Sequence, residues 1–337
     1  MRIYDSGLTS REKAVLRELS ADSRASLTRL AKAAGCSAAT ANKLLLKLVE
    51  KLDVKFTLEI DMDKLGLAER HIITIRFAKK PDDSILRDFF KNDAYAQDVY
   101  TTKGDFDLLV FAAADTPGNY LKWETDLATG LSDYLPTLRP SEFVFPHLGY
   151  MPLNSSFVNF VGDEMRIDAK DRRILEILNS NARTSYREMS KRLGINEDTV
   201  RYRVFKLQRK GIIRRFTVAV QGAGGCLMAY MLRYRFDNYT VADDFPRMRA
   251  HYKTEYENPP LINSSPFVVV LSGSYRLFGM SFGKSEADAD RIGPRWHRNL
   301  LKGNNPKITR ATVAKAIRGV LPLRNLDAEK NYRLLWT

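Results

Sequence analysis

The sequence predicts an α+β protein made of two copies of one unit, in which three helices and a strand precede a small sheet carrying two helices. The first observation is internal similarity, since residues 20–48 align without a gap on residues 179–207, with Gly35 on Gly194. The second is that apolar residues recur at helical spacing early in each copy and form short β-branched runs later. A period of about 160 residues is too long for a solenoid repeat and fits a duplicated module.

The first part of each copy predicts a helix-turn-helix. In the second copy three apolar stripes at helical spacing indicate three amphipathic helices. The stripes are Ile174, Leu175 and Leu178; Tyr186, Met189 and Leu193; and Val200, Val204 and Leu207. Gly194 can turn the chain sharply before the third helix, and Asn196 can cap that helix. After Gly211 the run "IIRRFTVAV" predicts the strand of a wing, and copy one repeats the pattern with Ser37 as cap and "DVKFTLEI" as strand.

The second part of each copy predicts the order β-α-β-β-α-β. In copy one the elements are "HIITIRF", "DSILRDFFK", "AQDVYTTKGDFDLLVFAA" as two strands joined at Gly104, "NYLKWETDLATGL" and "LRPSEFVF". In copy two they are "LMAYMLRYRF", a helix through "DDFPRMRAHY", two strands around "PFVVVLSGSYRLFGMSF", a helix through "EADADRIGPRWHRNLL", and "KITRATVAKA". This is the ferredoxin-like arrangement, whose open sheet faces need cover from sheet-to-sheet packing within or between chains.

Four domains are therefore predicted. Winged helix-turn-helix domains occupy residues 1–62 and 163–221, and ferredoxin-like α/β domains occupy residues 66–150 and 225–325. We expect a homo-oligomer, most simply a dimer through the α/β domains, because open sheet faces and the apolar tail "NYRLLWT" disfavour a monomer.

Charge favours a polyanionic partner. The chain has a formal net charge of +14, and the segment from Arg183 to Phe216 holds 11 basic and 3 acidic residues. If the stripe of the third helix faces the core, Asp198, Tyr202, Phe205 and Arg209 point away from it. Exposed aromatic residues among arginines are unusual for a solvated face and favour DNA, which arginines read at guanine edges or clamp at phosphates. The alternative is a basic helix that packs on another protein.

Copy one predicts a different contribution. Its segment from Arg24 to Thr57 holds 7 basic and 2 acidic residues, and its third helix carries lysines but no arginine. Lysines at every fourth position suit phosphate tracking. We therefore predict that the second helix-turn-helix supplies most of the sequence discrimination and the first mainly non-specific affinity.

The segment "IDAKDRRILEILNSNARTSYREMSKRLGINEDTVRYRVFKLQRKGII" resembles the N-terminal pattern of the leucine-responsive/asparagine regulator (Lrp/AsnC) family of transcription factors. The resemblance implies a third helix in the major groove of double-stranded DNA, assembly through the α/β domains, and a small effector such as an amino acid. With the basic flanks, the predicted DNA-binding residues are Asn196, Asp198, Thr199, Arg201, Tyr202, Arg203, Lys206, Arg209, Arg214 and Arg215 in copy two, and Ser37, Ala39, Thr40, Asn42, Lys43 and Lys47 in copy one.

The same resemblance implies a candidate effector loop at the β-β turn of each α/β domain. Its residues are Gly104, Asp105 and Asp107 in copy one, and Gly273 and Ser274 in copy two, where both acids are missing. The alternative for the two aspartates is a structural turn cap beside a strand. Typical members also have one head per chain, so a fused pair suggests that this chain forms internally the dimer that others assemble.

An enzyme is the less favoured prediction, and we expect no cofactor and no metal. Sirohaem decarboxylases also pair two such units and rely on histidines and arginines, but the four histidines here lack metal-ligand spacing; they are His71, His147, His251 and His297. A third possibility is an architectural protein that coats or wraps DNA with heads about 34 Å apart.

The remaining composition predicts a cytoplasmic protein. No run approaches the roughly 18 apolar residues of a membrane span, and the first residues lack a signal-peptide core. Cys36 and Cys226 are too few for a disulfide framework and are expected to be small core residues.

Overall fold

The computed structural model describes residues 8–67, 69–93, 95–138, 142–144, 167–220, 226–233, 267–295, 298 and 306–318. Within these residues the chain has two helix-turn-helix regions, each followed by a β-sheet domain, which confirms the predicted fold class. We call the helix-turn-helix regions the first head (8–60) and the second head (167–220). The predicted domain limits at 1, 150, 163, 221, 225 and 325 lie outside the described residues.

The first head contains helices α1 (Ser10–Ala21), α2 (Leu27–Ala34) and α3 (Ala38–Leu52) and strand β1 (Val54–Ile60). Each helix begins at a side-chain cap, as hydroxyl-bearing residues at this position predict. Ser37 accepts a hydrogen bond from the Thr40 amide, which confirms its predicted role. Gly35 ends α2 with φ +59°, a left-handed conformation that favours glycine.

The second head repeats this plan with α7 (Ala169–Ser180), α8 (Tyr186–Leu193), α9 (Glu197–Arg209) and β7 (Ile213–Val220). Gly194 has φ +63° and Asn196 accepts a hydrogen bond from the Asp198 amide, so the predicted turn and cap are both confirmed. The predicted stripes face inward, with Leu193 and Tyr186 only half-buried. The two heads are joined directly, because β1 and β7 pair as an antiparallel two-stranded sheet.

The first α/β domain follows the predicted order. Its elements are α4 (Met62–Leu65), β2 (Glu69–Phe77), α5 (Asp83–Phe90), β3 (Ala96–Gly104), β4 (Leu108–Ala114), α6 (Pro117–Gly130), β5 (Pro136–Leu138) and β6 (Glu142–Val144). The strands are arranged β5-β2-β4-β3, as a ferredoxin-like sheet requires. The predicted last strand is divided into β5 and β6, and both pair with β2.

The second α/β domain contains β8 (Cys226–Arg233), β9 (Phe267–Ser272), β10 (Leu277–Gly283), α10 (Glu286–Ile292) and β11 (Lys307–Arg318). Its strands are arranged β11-β8-β10-β9, which repeats the order of the first domain. The helix predicted through 243–252 lies outside the described residues.

The two sheets cover each other inside the chain. The far half of β11 pairs with β3, and β6 pairs with β9, so that eight strands are hydrogen-bonded in a closed circuit. Inside the circuit the rings of Phe111 and Phe278 meet edge to face at 5.5 Å, beside buried Met231 and Met280. The outer face of the first sheet is covered by α5 and α6, which bury Phe90 and other apolar side chains. The predicted sheet-to-sheet packing therefore occurs within one chain.

Two expectations about composition have different outcomes. Among the described residues, no helix is long and apolar enough to cross a membrane. Cys36 and Cys226 are free thiols, as expected, but each is half-buried rather than part of a fully buried core.

Candidate nucleic-acid interface

The third helix of the second head, α9, presents an exposed face that combines charge with aromatic rings. Val200, Val204 and Leu207 are buried against the head, as their helical spacing predicts. On the opposite side Tyr202 is 66% exposed and Phe205 is 56% exposed. Large aromatic side chains seldom stand this far into solvent without a partner, so this face has the character of a binding surface.

Two arginines flank these rings. The Arg201 guanidinium lies 5.7 Å from the Tyr186 ring, and that of Arg209 lies 5.9 Å from the Phe205 ring. Arg201 also has exposed contacts to the carboxylates of Glu197, at 3.5 Å, and Asp198, at 3.9 Å. Exposed ion pairs of this length contribute little, so the Arg201 guanidinium can exchange them for phosphate or base oxygens.

The cap and first turn of α9 complete this surface. Asn196, Asp198 and Thr199 are exposed, and the N-terminal residues of a recognition helix are those that reach base edges. The Asn196 side chain is engaged by the Asp198 amide at 2.7 Å. Lys206 is half-buried on the flank.

Arg203 differs from the prediction, because its side chain turns back into the head. Its Nη1 lies 2.6 Å from Asp168 Oδ2 and 2.8 Å from Asp171 Oδ1, at the start of α7. These carboxylates raise the pKa of Arg203, and the pKa of Asp168 is lowered because hydrogen bonds from the Asp171 amide and from Arg203 outweigh partial burial. Arg203 therefore ties α9 to α7 and is not placed for a direct contact with DNA.

The two wing arginines are also committed to protein contacts. Arg214 lies 3.0 Å from an Asp61 carboxylate oxygen, and Arg215 is hydrogen-bonded to Glu59 and to the Ser20 carbonyl. Glu59 and Asp61 belong to the other head and the segment that follows it, so both arginines fasten the heads together. The sequence predicted DNA contacts here because a basic segment looks the same in sequence whether its arginines bind DNA phosphates or protein carboxylates.

The third helix of the first head, α3, presents a different surface. Asn42 and Lys43 are exposed, Ala39 and Ser37 lie in the exposed first turn and cap, and Thr40 is half-buried. Lys47 is exposed yet its Nζ lies 2.8 Å from Glu12, a buried acid on α1. Leu46 is 61% exposed and was missed by the sequence analysis. Leu46 could have been identified from its alignment with Phe205, at the same offset that aligns Gly35 with Gly194.

The candidate effector loop is built into the contact between the two α/β domains. Asp105 Oδ2 accepts a hydrogen bond from the Arg310 amide at 2.9 Å, and the Asp105 amide donates to the Arg310 carbonyl. Asp107 is buried, accepts from the Phe77 amide at 3.0 Å and lies 2.6 Å from Lys80 Nζ. Both acids thus cap backbone groups, which favours the structural alternative.

The glycines of the two loops fit the same interpretation. Gly104 has φ +146°, and a Cβ there would lie 2.7 Å from the Arg310 carbonyl oxygen, because β11 passes against the turn. In copy two Gly273 is exposed and Ser274 half-buried, and the neighbouring Tyr275 hydroxyl lies 2.8 Å from Thr309 Oγ1.

Histidines and possible metal ligands bear on whether the chain holds an enzyme's site. Among them, no group of three or more histidine, cysteine, aspartate or glutamate side chains is placed to hold a metal ion. His71 stacks on Tyr120 with ring centroids 3.6 Å apart, and its Nε2 lies 3.2 Å from Glu69. Burial lowers the pKa of His71 despite the nearby carboxylates. His147, His251 and His297 lie outside the described residues.

Part of the second head is similar to known DNA-binding proteins. Residues 167–214 match the winged helix-turn-helix DNA-binding family. The HTH-type transcriptional regulator LrpA of Pyrococcus horikoshii is 50% identical over 54 residues, which are 16% of this chain and 38% of that protein. LysM of Saccharolobus solfataricus is 52% identical over 52 residues, 15% of this chain and 37% of that protein. The chain therefore spans under two fifths of the length of these relatives, and the similarity shows an Lrp/AsnC-like winged helix-turn-helix.

A different protein is similar over the full length. The crystal structure of the siroheme decarboxylase NirDL has a TM-score of 0.55 and 15% sequence identity, and the match covers 97% of this chain and 98% of that chain. The same enzyme in complex with an iron-uroporphyrin III analogue gives a TM-score of 0.54. At this identity the similarity shows the fold, which is a tandem of two helix-turn-helix regions each followed by a β-sheet domain.

Proposed function

We propose that this chain is a sequence-specific DNA-binding regulator of the Lrp/AsnC type, which places α9 of its second head in a DNA major groove. The observation that carries the proposal is the solvent face of α9, where Tyr202 and Phe205 are exposed between Arg201 and Arg209. A major groove admits an α-helix, arginine can pair with guanine, and apolar side chains can contact thymine methyl groups.

The surrounding charge supports the same proposal. The +14 chain concentrates basic residues in the second head, and Lys43 of α3 adds an exposed cation in the first. Such groups increase affinity by releasing counterions from phosphates, without reading sequence. The two α/β domains would then hold the heads at a fixed separation, because their sheets are joined within the chain.

The test is a binding competition on genomic DNA fragments at two salt concentrations. The variant is Arg201→Ala/Arg209→Ala, and the matched control is Arg87→Ala/Arg291→Ala, which removes two exposed arginines from the α/β domains. A regulator selects a few fragments, the control retains that selection and the head variant loses it. Equal binding of every fragment with a steep salt dependence would instead indicate an architectural protein that coats DNA.

Siroheme decarboxylation is a second candidate function, favoured by the match to NirDL along the whole chain. That comparison supports this candidate more than the regulator, whereas the α9 surface and the matches to regulators support DNA binding. The test is incubation with siroheme, followed by absorbance titration and mass analysis of the tetrapyrrole. Stoichiometric binding with loss of carboxyl groups as CO₂ supports an enzyme, and Arg201→Ala/Arg209→Ala should leave that activity unchanged.

Assembly and effector binding are further parts of the regulator proposal. A dimer of chains would have to use surfaces outside the closed sheet circuit, since those sheet edges are already paired. Light scattering at several protein concentrations tests the dimer. Calorimetry with the free amino acids tests for effector binding. Because Asp105 and Asp107 already cap backbone groups, we expect any effector to bind outside the candidate effector loop.

A further inference from the structure

We propose that a single chain binds DNA as an internal dimer of heads, and that its target is an inverted pair of unlike half-sites. This inference rests on the proposed DNA-binding function and adds the form of the DNA partner. It is carried by the symmetry of the contact between the heads and by the difference between their exposed helix faces.

The strands that join the heads define a local two-fold axis. Strands β1 and β7 pair antiparallel, and Thr57 is paired with Thr217. These threonines occupy corresponding positions, each following the phenylalanine of its wing strand. When a strand pairs antiparallel with its own equivalent and corresponding residues face each other, a two-fold rotation relates the two partners.

The backbone contacts around this axis are reciprocal. The Ser23 amide donates to the Phe216 carbonyl at 3.0 Å, and the corresponding Ala182 amide donates to the Phe56 carbonyl at 3.0 Å. The hydroxyl of Thr217 donates to the Ser20 carbonyl at 3.0 Å. On the other side the hydroxyl of Thr57 donates to Asn179, the residue aligned with Ser20, at 2.7 Å.

Two arginines extend the symmetry. The Arg24 guanidinium donates to the Thr184 carbonyl at 3.0 Å and lies 5.1 Å from the Phe216 ring. Its equivalent Arg183 donates to the Ala25 carbonyl at 3.3 Å and lies 5.2 Å from the Phe56 ring. These contacts therefore recur on both sides of the axis, and they fix the relative orientation of the heads.

This symmetry sets the orientation of the two half-sites. A DNA duplex has two-fold axes perpendicular to its own axis, so two heads related by a two-fold rotation meet sites in inverted orientation. A direct repeat would require the heads to be related by translation, which the β1-β7 pairing excludes. Because both heads belong to one chain, one chain is sufficient for one target.

The exposed helix faces make the half-sites unlike. At corresponding positions the first head has Asn42, Lys43, Leu46 and Glu50, whereas the second has Arg201, Tyr202, Phe205 and Arg209. Both sets are exposed on their helices. Asparagine suits adenine and leucine suits a thymine methyl group, whereas arginine suits guanine. We therefore expect an A·T-rich half-site under the first head and a guanine-containing half-site under the second.

The test begins with selection of binding duplexes from a random pool by the intact chain. Selected half-sites are then rebuilt in four duplexes of equal length: unlike halves inverted, unlike halves in direct repeat, and each half paired with its own inverted copy. We expect the unlike inverted duplex to bind one chain, at least about tenfold more tightly than the other three. Native mass spectrometry gives the number of chains per duplex.

Surface variants assign each half-site to its head. Asn42→Ala/Leu46→Ala should relax selection about tenfold in the A·T-rich half alone, and Arg201→Ala/Phe205→Ala should do so in the other half alone. Arg87→Ala/Arg291→Ala is the control. A palindromic target bound by two chains, a direct repeat or a single half-site overturns this inference while leaving DNA recognition intact. Failure to select any sequence overturns the proposed function itself.

Discussion

Replacement of Arg203 by alanine is expected to destabilise the second head rather than to remove a contact with DNA. The Arg203 side chain is 20% exposed and lies within 2.8 Å of oxygens of both Asp168 and Asp171. Asp171 is 5% exposed, so the substitution leaves a buried carboxylate without this partner. The neighbouring Arg201 is 60% exposed and belongs to a looser pair, which makes Arg201→Ala the matched comparison.

The expected magnitude lies between two limits. Removing one partner of a fully buried ion pair costs about 3–5 kcal/mol, and removing an exposed pair costs about 0.2–1 kcal/mol. Because Asp171 is buried but Asp168 is half-exposed, we expect Arg203→Ala to lower the local free energy of unfolding by about 2–3 kcal/mol. Arg201→Ala should cost under about 0.5 kcal/mol.

Amide hydrogen exchange resolved on α7 and α9 is the appropriate assay, because a chain of several domains need not unfold in one step. Exchange should accelerate about 30- to 150-fold in Arg203→Ala and little in Arg201→Ala. Asp171→Asn added to Arg203→Ala should restore part of the protection, since it removes the unpaired charge. Wild-type protection in Arg203→Ala, combined with weaker DNA binding, would refute the argument and restore Arg203 as a DNA contact.

Three further predictions follow from individual side chains. Burial raises the pKa of Glu12, but hydrogen bonds from Lys47 and Thr9 outweigh it and lower that pKa from 4.5 to about 2. The resulting stabilisation is present above pH 4.5 and is lost as pH falls towards 2. Acid titration should therefore show Glu12→Gln about 1–2 kcal/mol less stable than wild type near neutrality, with the difference disappearing in acid. In the genomic competition, Arg201→Ala should reduce discrimination between fragments, whereas Lys43→Ala should weaken binding to all of them alike because lysine contacts phosphates. Equal effects on discrimination would contradict the roles of these two side chains. Asp107→Ala should destabilise the first α/β domain by about 1–3 kcal/mol, because it leaves the buried Phe77 amide without its acceptor. Hydrogen exchange measures this loss, and unchanged protection of β2 would count against a structural cap.

The sequence by itself determined the local features of this protein. The repeat, the three helices of each head, their serine and asparagine caps, the left-handed Gly35 and Gly194 and the β-α-β-β-α-β order were predicted. These features depend on hydrophobic periodicity and on the backbone conformations that single residues favour, and both can be read from the sequence. The exposed aromatic face of α9 was predicted for the same reason.

Only the tertiary structure decided the partners of long charged side chains and of sheet edges. Arg203 and Arg215 belong to the same basic stretch as Arg201, and their carboxylate partners lie 32 and 156 residues away in sequence. A guanidinium on a flexible stem reaches whichever anion folding brings near, so composition cannot separate a structural arginine from one that contacts DNA. The open sheet faces likewise had two possible partners, since the sequence predicted sheet-to-sheet packing either within the chain or between chains. In the structure the heads are joined through β1 and β7 and the α/β domains through β3 and β11, all within one chain, because the tandem connection holds the two copies at a high effective concentration.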